Sequence, residues 1–346
     1  MAQNWWHPDN FEDQKPFLLA RMALMKAVRG FFDNQDFWEV DTPILQVCPV
    51  MDTHIHGFKT SLLGVDLAHK ADYYLHTSPE FAMKKLMVAG VSNLYQICHV
   101  FRNGESSPLH SAEFSMIEWY RASTDEKSAG YEDIMDDCVE LLRHVATALD
   151  IKSYSHKDHI CDPFGQWERL SVADAFAQYA DIDLSAHLEN AETFAAAIKE
   201  QGIRVADDDR WDDLFFRVMA EKIEPFLGMG VPTILYDYPA SMASLSRRKP
   251  SDPRYAERFE LYVCGIELAN AFGELTDATE QRARFEEEMS LKQEIYGERY
   301  PIDEEFLAAL EHGLPESGGI ALGIDRLVML ATGARDINQT LWAPRV

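Results

Sequence analysis

Two stretches of alternating hydrophobicity, Leu94-Tyr-Gln-Ile-Cys-His-Val-Phe-Arg102 and Glu113-Phe-Ser-Met-Ile-Glu-Trp-Tyr-Arg121, flank a polar segment of residues 103–112. A period of two is typical of β-strands, and a polar link between two such strands predicts a hairpin. Residues that are two apart share a face of a strand. One face of the first strand therefore carries Gln96, Cys98, Val100 and Arg102, and one face of the second carries Phe114, Met116, Glu118 and Tyr120.

The rest of the chain shows both helical and extended patterns. Apolar residues at helical spacing from Leu18 to Phe32 predict a first helix that Pro16 opens, and Ser78 with Pro79 predicts the start of another. The other predicted elements are strands at 37–43, 73–76, 233–238 and 258–264, a helical region at about 127–227, helices at 279–296 and 303–312, and a strand running into a helix from Gly318. This order predicts an α+β fold, with an antiparallel β-sheet flanked by α-helices.

Composition limits the class of protein. The chain has 346 residues, 47% of them hydrophobic, which excludes a disordered or disulfide-stapled chain. Its 32 basic and 58 acidic residues give a net charge of −26, which argues against broad, charge-driven binding of nucleic acid. No apolar run approaches the roughly 20 residues of a membrane span, and the five widely spaced cysteines fit reduced thiols. We therefore expect a cytoplasmic protein with no membrane partner.

The segment Phe101-Arg-Asn-Gly-Glu105 is the first candidate for chemistry. A planar guanidinium at the end of a strand can hold a carboxylate or phosphate through paired hydrogen bonds. On the returning strand, Glu118 and Tyr120 would face the same space. An ordinary surface Arg–Glu hairpin is an equally good interpretation of the motif alone.

Glu260, Glu267 and Glu274 form the second candidate, because they are seven residues apart in an apolar setting. Mg²⁺ prefers oxygen ligands and takes only one or two carboxylates when phosphates complete its shell. A solvated strand edge is the alternative. His54 and His56 have no suitable third ligand nearby, so their spacing does not predict a metal site.

The third candidate is Gly318-Gly-Ile-Ala-Leu-Gly-Ile-Asp-Arg326. Its glycines fit neither the dinucleotide fingerprint nor the P-loop. Small residues would allow a ligand to approach the backbone, and Arg326 at the start of a helix would add positive charge there. Close packing of the strand on a helix is the better explanation of the glycines when this segment is taken alone.

Together, these segments stand in the order of motifs one, two and three of class II aminoacyl-tRNA synthetases, which the chain resembles from about Pro16 to its C-terminus. Thr77-Ser-Pro-Glu80, Glu113–Tyr120 and Gly265-Ile-Glu-Leu-Ala-Asn270 resemble the lysyl-tRNA synthetase branch. That branch carries an anticodon-binding OB domain of roughly a hundred residues ahead of motif one. We expect residues 1–15 to be an N-terminal extension and 16–346 a catalytic domain without an OB domain.

This layout is similar to the elongation factor P lysine ligase family, a truncated lysyl-tRNA synthetase paralogue. The resemblance implies ATP and Mg²⁺ as cofactors, with Arg102 and Arg326 as catalytic residues and Glu260 and Glu267 as metal ligands. The implied amino-acid pocket consists of Ser78, Pro79, Glu80, Glu118, Tyr120, Asn270, Glu274 and Ala321. The implied ATP contacts are Arg102, Asn103, Gly104, Glu105, His110, Ser111, Phe114, Glu267, Leu268, Gly323 and Arg326. Gly104 and Ser111 depart from motif two, where glutamate and asparagine are usual, and Glu105 would supply the missing carboxylate.

The implied reaction is ATP-dependent and AMP-forming. A lysine-type amino acid, (R)-β-lysine rather than lysine if the Ala321 methyl selects it, would become an aminoacyl-adenylate and pass to a lysine side chain of elongation factor P. The resemblance also implies a homodimer and no stable tRNA binding. The alternatives are an enzyme that charges tRNA without an anticodon domain, an enzyme that makes a small amide as asparagine synthetase relatives do, and a non-catalytic paralogue that acts as a regulatory subunit.

Overall fold

An eight-stranded sheet forms the centre of the computed structural model, which describes residues 4–125 and 127–343. Its strands, in chain order, are β1 (Trp38–Glu39), β5 (Asn93–Phe101), β6 (Glu113–Ala122), β9 (Glu168–Ser171), β10 (Thr233–Pro239), β11 (Tyr255–Val263), β12 (Ile266–Gly273) and β13 (Ser317–Gly323). Their spatial order is β1-β5-β6-β13-β12-β11-β10-β9. The two outermost pairs are parallel and the others antiparallel, which confirms the predicted α+β class.

Two smaller sheets accompany the main one. The first joins β2 (Leu45–Gln46), β3 (Phe58–Leu63) and β4 (His69–Leu75), and the second joins β7 (Tyr154–His156) and β8 (His159–Cys161). The helices are α1 (Pro8–Asp33), α2 (Glu80–Val88), α3 (Tyr131–Ala148), α4 (Val172–Ala175), α5 (Ala191–Glu200), α6 (Trp211–Val218), α7 (Ala278–Tyr296), α8 (Glu304–Gly313) and α9 (Ile324–Thr332). In the described part of the chain, no helix combines the length and the apolarity that crossing a bilayer requires.

The predicted hairpin is confirmed. β5 and β6 pair antiparallel, with Gln96 opposite Glu118 and Cys98 opposite Met116. Residues directly opposite each other in a sheet project to the same side. The strands predicted at 233–238 and 258–264 and the helices predicted at 279–296 and 303–312 are also present, within three residues of their predicted ends.

The prediction that Pro16 opens the first helix is wrong. α1 begins at Pro8, and the backbone N–H of Asp9 donates to Nδ1 of His7, 3.3 Å away. Pro8 satisfies the same first-turn preference as Pro16, which lies inside the helix. α1 therefore crosses the boundary placed between residues 15 and 16. At the start of α2, Pro79 is the capping residue rather than part of the first turn.

The region 127–227 is only partly helical, which corrects the expectation of a wholly helical middle. The short strands β7, β8 and β9 lie within it. Strands of three or four residues are too short to show a period of two. The segment 37–43 likewise contains only the two-residue strand β1.

Three apolar clusters surround the main sheet. The largest packs α1, α3 and α9 against β5, β6 and β11–β13. A second lies beneath β10 among α4–α6, and a third joins α2, α7 and α8 to the remaining side of the sheet. Helices thus support the sheet on several sides and leave the cavity described below between α2, α9 and the central strands.

Candidate active site

One row of paired residues across the central strands organises the site. Gln96 on β5 lies opposite Glu118 on β6, which lies opposite Ala321 on β13. Ala321 in turn lies opposite Asn270 on β12, and Asn270 lies opposite Glu260 on β11. The adjoining row contains Tyr120, Gly319, Phe272 and Arg258. Residues from all three candidate segments therefore meet on one face of one sheet.

A cavity of about 300 Å³ lies over these rows. Most of the predicted residues line it: Ser78, Glu80, Arg102, Glu105, His110, Ser111, Phe114, Glu267, Leu268, Asn270, Ala321, Gly323 and Arg326. The predicted residues outside its lining are Pro79, Asn103, Gly104, Glu118, Tyr120, Glu260 and Glu274. Of these, Glu118, Tyr120 and Glu274 are buried behind the lining, whereas Asn103 and Gly104 are exposed on the loop between β5 and β6.

Glu118 forms the floor of the acidic end of the site. The Ser78 hydroxyl donates to its carboxylate at 2.6 Å, and the Tyr120 hydroxyl donates to its other oxygen at 2.5 Å. The residue is 1% exposed. Burial, followed by the nearby charge of Glu80, raises the pKa of Glu118 to about 8. A carboxylate with a raised pKa is poised to ionise when a cation arrives.

Lys84 is the main element of the site that the sequence did not reveal. Its ammonium, 1% exposed, pairs with Glu80 on the same helix and with Glu274, 2.6 Å away, which follows β12. Burial alone would lower the pKa of Lys84, but the charges of Glu274 and Glu80 outweigh burial and raise it. Lys84 is therefore a permanent cation between two carboxylates.

The acidic end can hold two unbalanced negative charges. Three carboxylates, Glu80, Glu118 and Glu274, stand against the single ammonium of Lys84, so full ionisation leaves a charge of 1 − 3 = −2. Burial raises the pKa of Glu274 to about 7, and the charge of Lys84 acts against that rise. Since buried charges need partners, this end is built to receive a ligand with two positive groups.

The opposite end of the cavity is basic. The Arg102 guanidinium lies 5.3 Å from the centre of the Phe114 ring and 3.9 Å from the Glu105 carboxylate. Its Nε is buried and has no hydrogen-bond partner among the described residues. An unsatisfied buried donor that faces a cavity suits an anionic oxygen of a ligand.

Arg326, in the first turn of α9, provides the second positive charge. It donates to the Glu267 carbonyl at 2.6 Å and to Nε2 of His110 at 2.7 Å. Burial and the neighbouring charge of Arg326 lower the pKa of His110, so the neutral ring accepts this bond and its Nδ1–H donates to the Ser107 hydroxyl at 2.7 Å. The guanidinium is thus held in place, with its side chain about one-fifth exposed to the cavity.

A buried ion pair supports the turn that carries Arg326. Arg21 on α1 pairs with Asp325 and also donates to the Ser115 hydroxyl at 2.7 Å. The backbone N–H of Ser115 donates to the other oxygen of Asp325 at 2.8 Å. These contacts join α1, β6 and α9 directly behind the cavity. Asp325 stood in the quoted motif, but nothing in the sequence identified Arg21 as its partner.

The two predicted metal ligands differ in availability. Glu267 has a side chain that is partly exposed as a whole, and its carboxylate lies 3.9 Å from the Arg326 guanidinium. Desolvation of the carboxylate by the atoms around it, followed by the charge of Glu260, raises the pKa of Glu267 to about 7. Glu260 accepts hydrogen bonds from Arg258 at 2.8 Å and from Tyr262 at 2.7 Å, so both of its oxygens are engaged. Among the described residues, no group of three or more metal-binding side chains is present. Glu267, with the Glu260 carboxylate beside it, suits a Mg²⁺ ion that is bound by one or two carboxylates and also by phosphate oxygens.

The glycines of the third segment serve two purposes. A side chain at Gly319 would collide with the Tyr120 ring and the Glu274 carboxylate, so this glycine gives the acidic end its room. Gly323 lines the cavity and caps α9. The sequence left open whether the glycines serve close packing or the approach of a ligand. Each explanation applies to one of these two glycines.

Comparison with known proteins identifies the class to which this geometry belongs. The model for the family "tRNA synthetases class II (D, K and N)" matches residues 5–346, and the chain belongs to that family. The elongation factor P–(R)-β-lysine ligases of Edwardsiella ictaluri and Klebsiella pneumoniae are each 40% identical to it, over 94% of this chain and 93% and 94% of theirs. The ligase of Vibrio cholerae is 37% identical over 99% of both chains. Within the class, the chain belongs with the elongation factor P–(R)-β-lysine ligases.

Proposed function

We propose that the chain is an ATP-dependent ligase that activates (R)-β-lysine as an aminoacyl-adenylate and transfers it to a lysine side chain of elongation factor P. The charge of the acidic end supports this most directly. Its net charge of −2 when fully ionised matches the two ammonium groups of a lysine-type amino acid. The relatives named as elongation factor P–(R)-β-lysine ligases match this chain over nearly their whole length. They do not favour tRNA charging or a non-catalytic role.

In the first step, the amino-acid carboxylate attacks the α-phosphate of ATP, and the bond to pyrophosphate breaks as the mixed anhydride forms. Arg102, whose buried Nε lacks a partner, holds the carboxylate and the α-phosphate, while Phe114 stacks on adenine. Arg326 binds the γ-phosphate. Fixed positive groups aimed at oxygens where charge develops lower the barrier without reorganisation.

Further residues take lesser roles in the same proposal. Ser78, Pro79, Glu80, Glu118, Tyr120, Asn270, Glu274 and Ala321 form the amino-acid pocket. Asn103, Gly104, Glu105, His110, Ser111, Leu268 and Gly323 position ATP. Glu267, with Glu260 beside it, would hold Mg²⁺, which neutralises charge on the phosphates when bound.

In the second step, a lysine amine of the acceptor attacks the carbonyl carbon of the adenylate. The lysine ammonium first loses one proton to become a nucleophile. A C–N bond then forms, the C–O bond to AMP breaks, and the nitrogen releases a second proton to solvent and keeps the third as the amide N–H. No covalent enzyme intermediate is required, so no nucleophilic side chain is needed.

Intact-mass measurement of elongation factor P tests the function. The factor is incubated with the enzyme, ATP and either (R)-β-lysine or α-lysine, and a mass gain of one lysyl residue with the β-isomer is expected. If the mass of elongation factor P does not rise while the amino acid still drives ATP–pyrophosphate exchange, elongation factor P is not the acceptor. Lysylation of tRNA at catalytic rates would overturn the proposal in favour of a synthetase.

Ala321→Gly forms a second arm of that experiment. Ala321 lies opposite both Glu118 and Asn270, so its methyl group narrows the floor of the pocket. Removing one methyl is worth about 1–3 kcal/mol of discrimination. We expect the preference for (R)-β-lysine over α-lysine in pyrophosphate exchange to fall by about tenfold or more. An unchanged ratio would place isomer selection elsewhere.

Binding of the amino acid is expected to release about one proton per site at pH 7. Glu118 and Glu274, with pKa values near 8 and 7, are partly protonated in the free pocket, and two ammonium groups would drive their ionisation. Affinity should therefore rise from pH 6 to pH 8, whereas the free protein should lose stability over the same window. Calorimetry in buffers of different ionisation enthalpy measures the proton count, and heats independent of the buffer would contradict the prediction.

A homodimer is part of the proposal, supported by apolar side chains near the exposed edge strand β1. Trp38 is 66% exposed, and Leu19 on the outer face of α1 is 54% exposed. Ile44, Leu45 and Val47 follow β1 and are also exposed. Open edges and apolar patches of this kind favour association.

Trp38→Glu is expected to convert the dimer to a monomer, since a charge would enter a desolvated interface. Light scattering at micromolar concentration measures the mass of both proteins. The matched control is Phe164→Glu, because Phe164 is also half-exposed but lies in the loop after β8. A monomeric wild-type protein, or an unchanged dimer in the variant, would contradict the prediction.

We also propose residues 16–346 as one catalytic domain, with residues 1–15 as an extension that α1 joins to it. All five cysteines are free thiols, and four of them are buried. Free thiols are typical of a reducing compartment, which supports a cytoplasmic location.

A further inference from the structure

The active-site cavity contains one carboxylate that the proposed activation step does not use. Five carboxylates line the cavity, and four of them lie 3.9 Å or less from a cationic side chain: Glu80 from Lys84, Glu105 from Arg102, Glu267 from Arg326 and Asp325 from Arg21. The fifth is Asp52, which makes no ion pair with any described residue. Since charges that are withdrawn from water need partners, Asp52 is available to a cationic ligand.

Asp52 lies on the loop between β2 and β3, which connects the two ends of the cavity. Val50 also lines the cavity and packs in the same apolar cluster as Phe81 of α2, the helix at the amino-acid end. Further along the loop, the carbonyl of His56 accepts the backbone N–H of Asn103, 2.7 Å away, on the segment that we propose to position ATP. The adenylate would join these two ends, so its carbonyl group would lie along the wall that contains Asp52.

Hydrogen bonds fix the orientation of the Asp52 carboxylate. Its Oδ1 accepts the backbone N–H groups of His54 and Ile55, at 2.7 and 3.0 Å. The buried ammonium of Lys292 on α7 donates to the carbonyls of Thr53 and Ile55 at 2.9 and 2.8 Å, so this cation holds the backbone of the loop rather than the carboxylate. Oδ2 of Asp52 has no hydrogen-bond partner in the part of the chain that the structure describes. An oriented carboxylate with one oxygen unengaged can accept a strong hydrogen bond from a cation.

The second reaction step brings a further cation to the cavity. The acidic end, with Glu80, Glu118 and Glu274 against Lys84, already matches both ammonium groups of the amino acid. A lysine side chain has a pKa of about 10.4 in water, so an acceptor lysine arrives at pH 7 as a third ammonium group. Asp52 is the carboxylate of the cavity lining that stands ready to receive it.

We propose that Asp52 is the binding site for the amine of the acceptor lysine. Its unengaged oxygen binds the ammonium group and, after one proton has left to solvent, accepts an N–H of the neutral amine beside the adenylate carbonyl. The C–N bond then forms, the C–O bond to AMP breaks, and the nitrogen releases a second proton to solvent. The proposal rests on the proposed function, since it assumes that a lysine amine is the acceptor.

Asp52→Asn tests the proposal, because an asparagine Oδ1 can accept the same two N–H groups while the negative charge is lost. We expect the kcat/KM for transfer to elongation factor P, followed by intact mass, to fall about a hundredfold or more. Pyrophosphate exchange, and trapping of the adenylate by hydroxylamine, which is uncharged at neutral pH, should change less than about twofold. Asp183→Asn is the matched control. The Asp183 carboxylate also accepts a backbone N–H, that of Ser185 at 3.1 Å, but lies outside the cavity.

Transfer at the wild-type rate in Asp52→Asn would overturn the proposal. If this variant loses the hydroxylamine reaction as well, Asp52→Ser replaces it, since a hydroxyl can also accept the N–H groups of the loop. An unchanged ratio of transfer to trapping then refutes a role in acceptor binding. An equal loss of transfer in the Asp183→Asn control would also refute it, because the effect would reflect net charge alone.

Nα-acetyl-lysine amide, used as a free acceptor, separates this proposal from the proposed function. If the wild-type enzyme modifies the amide but not elongation factor P, and Asp52→Asn abolishes that reaction, the lysine site stands and the protein acceptor is refuted. A wild-type enzyme that forms the adenylate but modifies neither acceptor refutes both.

Discussion

Replacing Lys84 with methionine should lower the free energy of unfolding by about 3–5 kcal/mol at pH 8. Lys84 is 1% exposed and is the buried cation between Glu80 and Glu274. Methionine has a similar length but leaves these carboxylates without a counter-charge. The effect should shrink towards pH 5, where a carboxyl with a raised pKa, such as that of Glu274, takes up a proton instead. Denaturant unfolding at the two pH values measures both quantities.

The same substitution should weaken amino-acid binding by about tenfold or more, since Glu80 and Glu274 would lose the ammonium that holds both carboxylates in place. Adding Glu80→Gln should restore part of the stability, because it removes one unpaired charge, without restoring the affinity. Lys85→Met is the matched control on the same helix. Lys85 is more exposed and pairs with Asp303 and Glu305. A Lys84→Met protein with wild-type affinity would show that Lys84 does not position the carboxylates of the pocket.

The sequence identified many residues of the site, but it did not identify the contacts that they make with distant residues. The period of two placed Phe114, Glu118 and Tyr120 correctly on one face of β6, because register in a hairpin follows from local pattern. Arg102 lies directly after the end of β5. The spacing of Glu80 and Lys84, by contrast, is that of an ordinary surface ion pair on a helix. Only the approach of Glu274, which follows the distant strand β12, shows that this pair is buried.

Long-range partners account for the other omissions. Arg21 and Asp325 are 304 residues apart in the chain, so no local pattern could join them. A second cavity, of about 860 Å³, likewise has a wall built from α6, the segment 239–244 and α7, and the sequence assigned no chemistry to the first of these. Each of these features depends on tertiary packing that a single sequence does not display.

Arg102→Lys should reduce kcat for amino-acid-dependent pyrophosphate exchange by about 10²–10³-fold, although it preserves the charge. The guanidinium lies near the Phe114 ring and the Glu105 carboxylate, and its buried Nε has no partner among the described residues. Its planar donors are therefore free for the contacts that we propose with the carboxylate and the α-phosphate. A lysine ammonium is a single point with no second donor in a fixed direction, and it would leave one of these oxygens unstabilised as charge develops. Arg29→Lys, at an exposed guanidinium that pairs with Glu39, is the control and should retain full activity. Because the expected loss is in kcat, ATP affinity measured by calorimetry should change much less. A loss confined to KM would mean that Arg102 stabilises the bound substrates and the transition state equally.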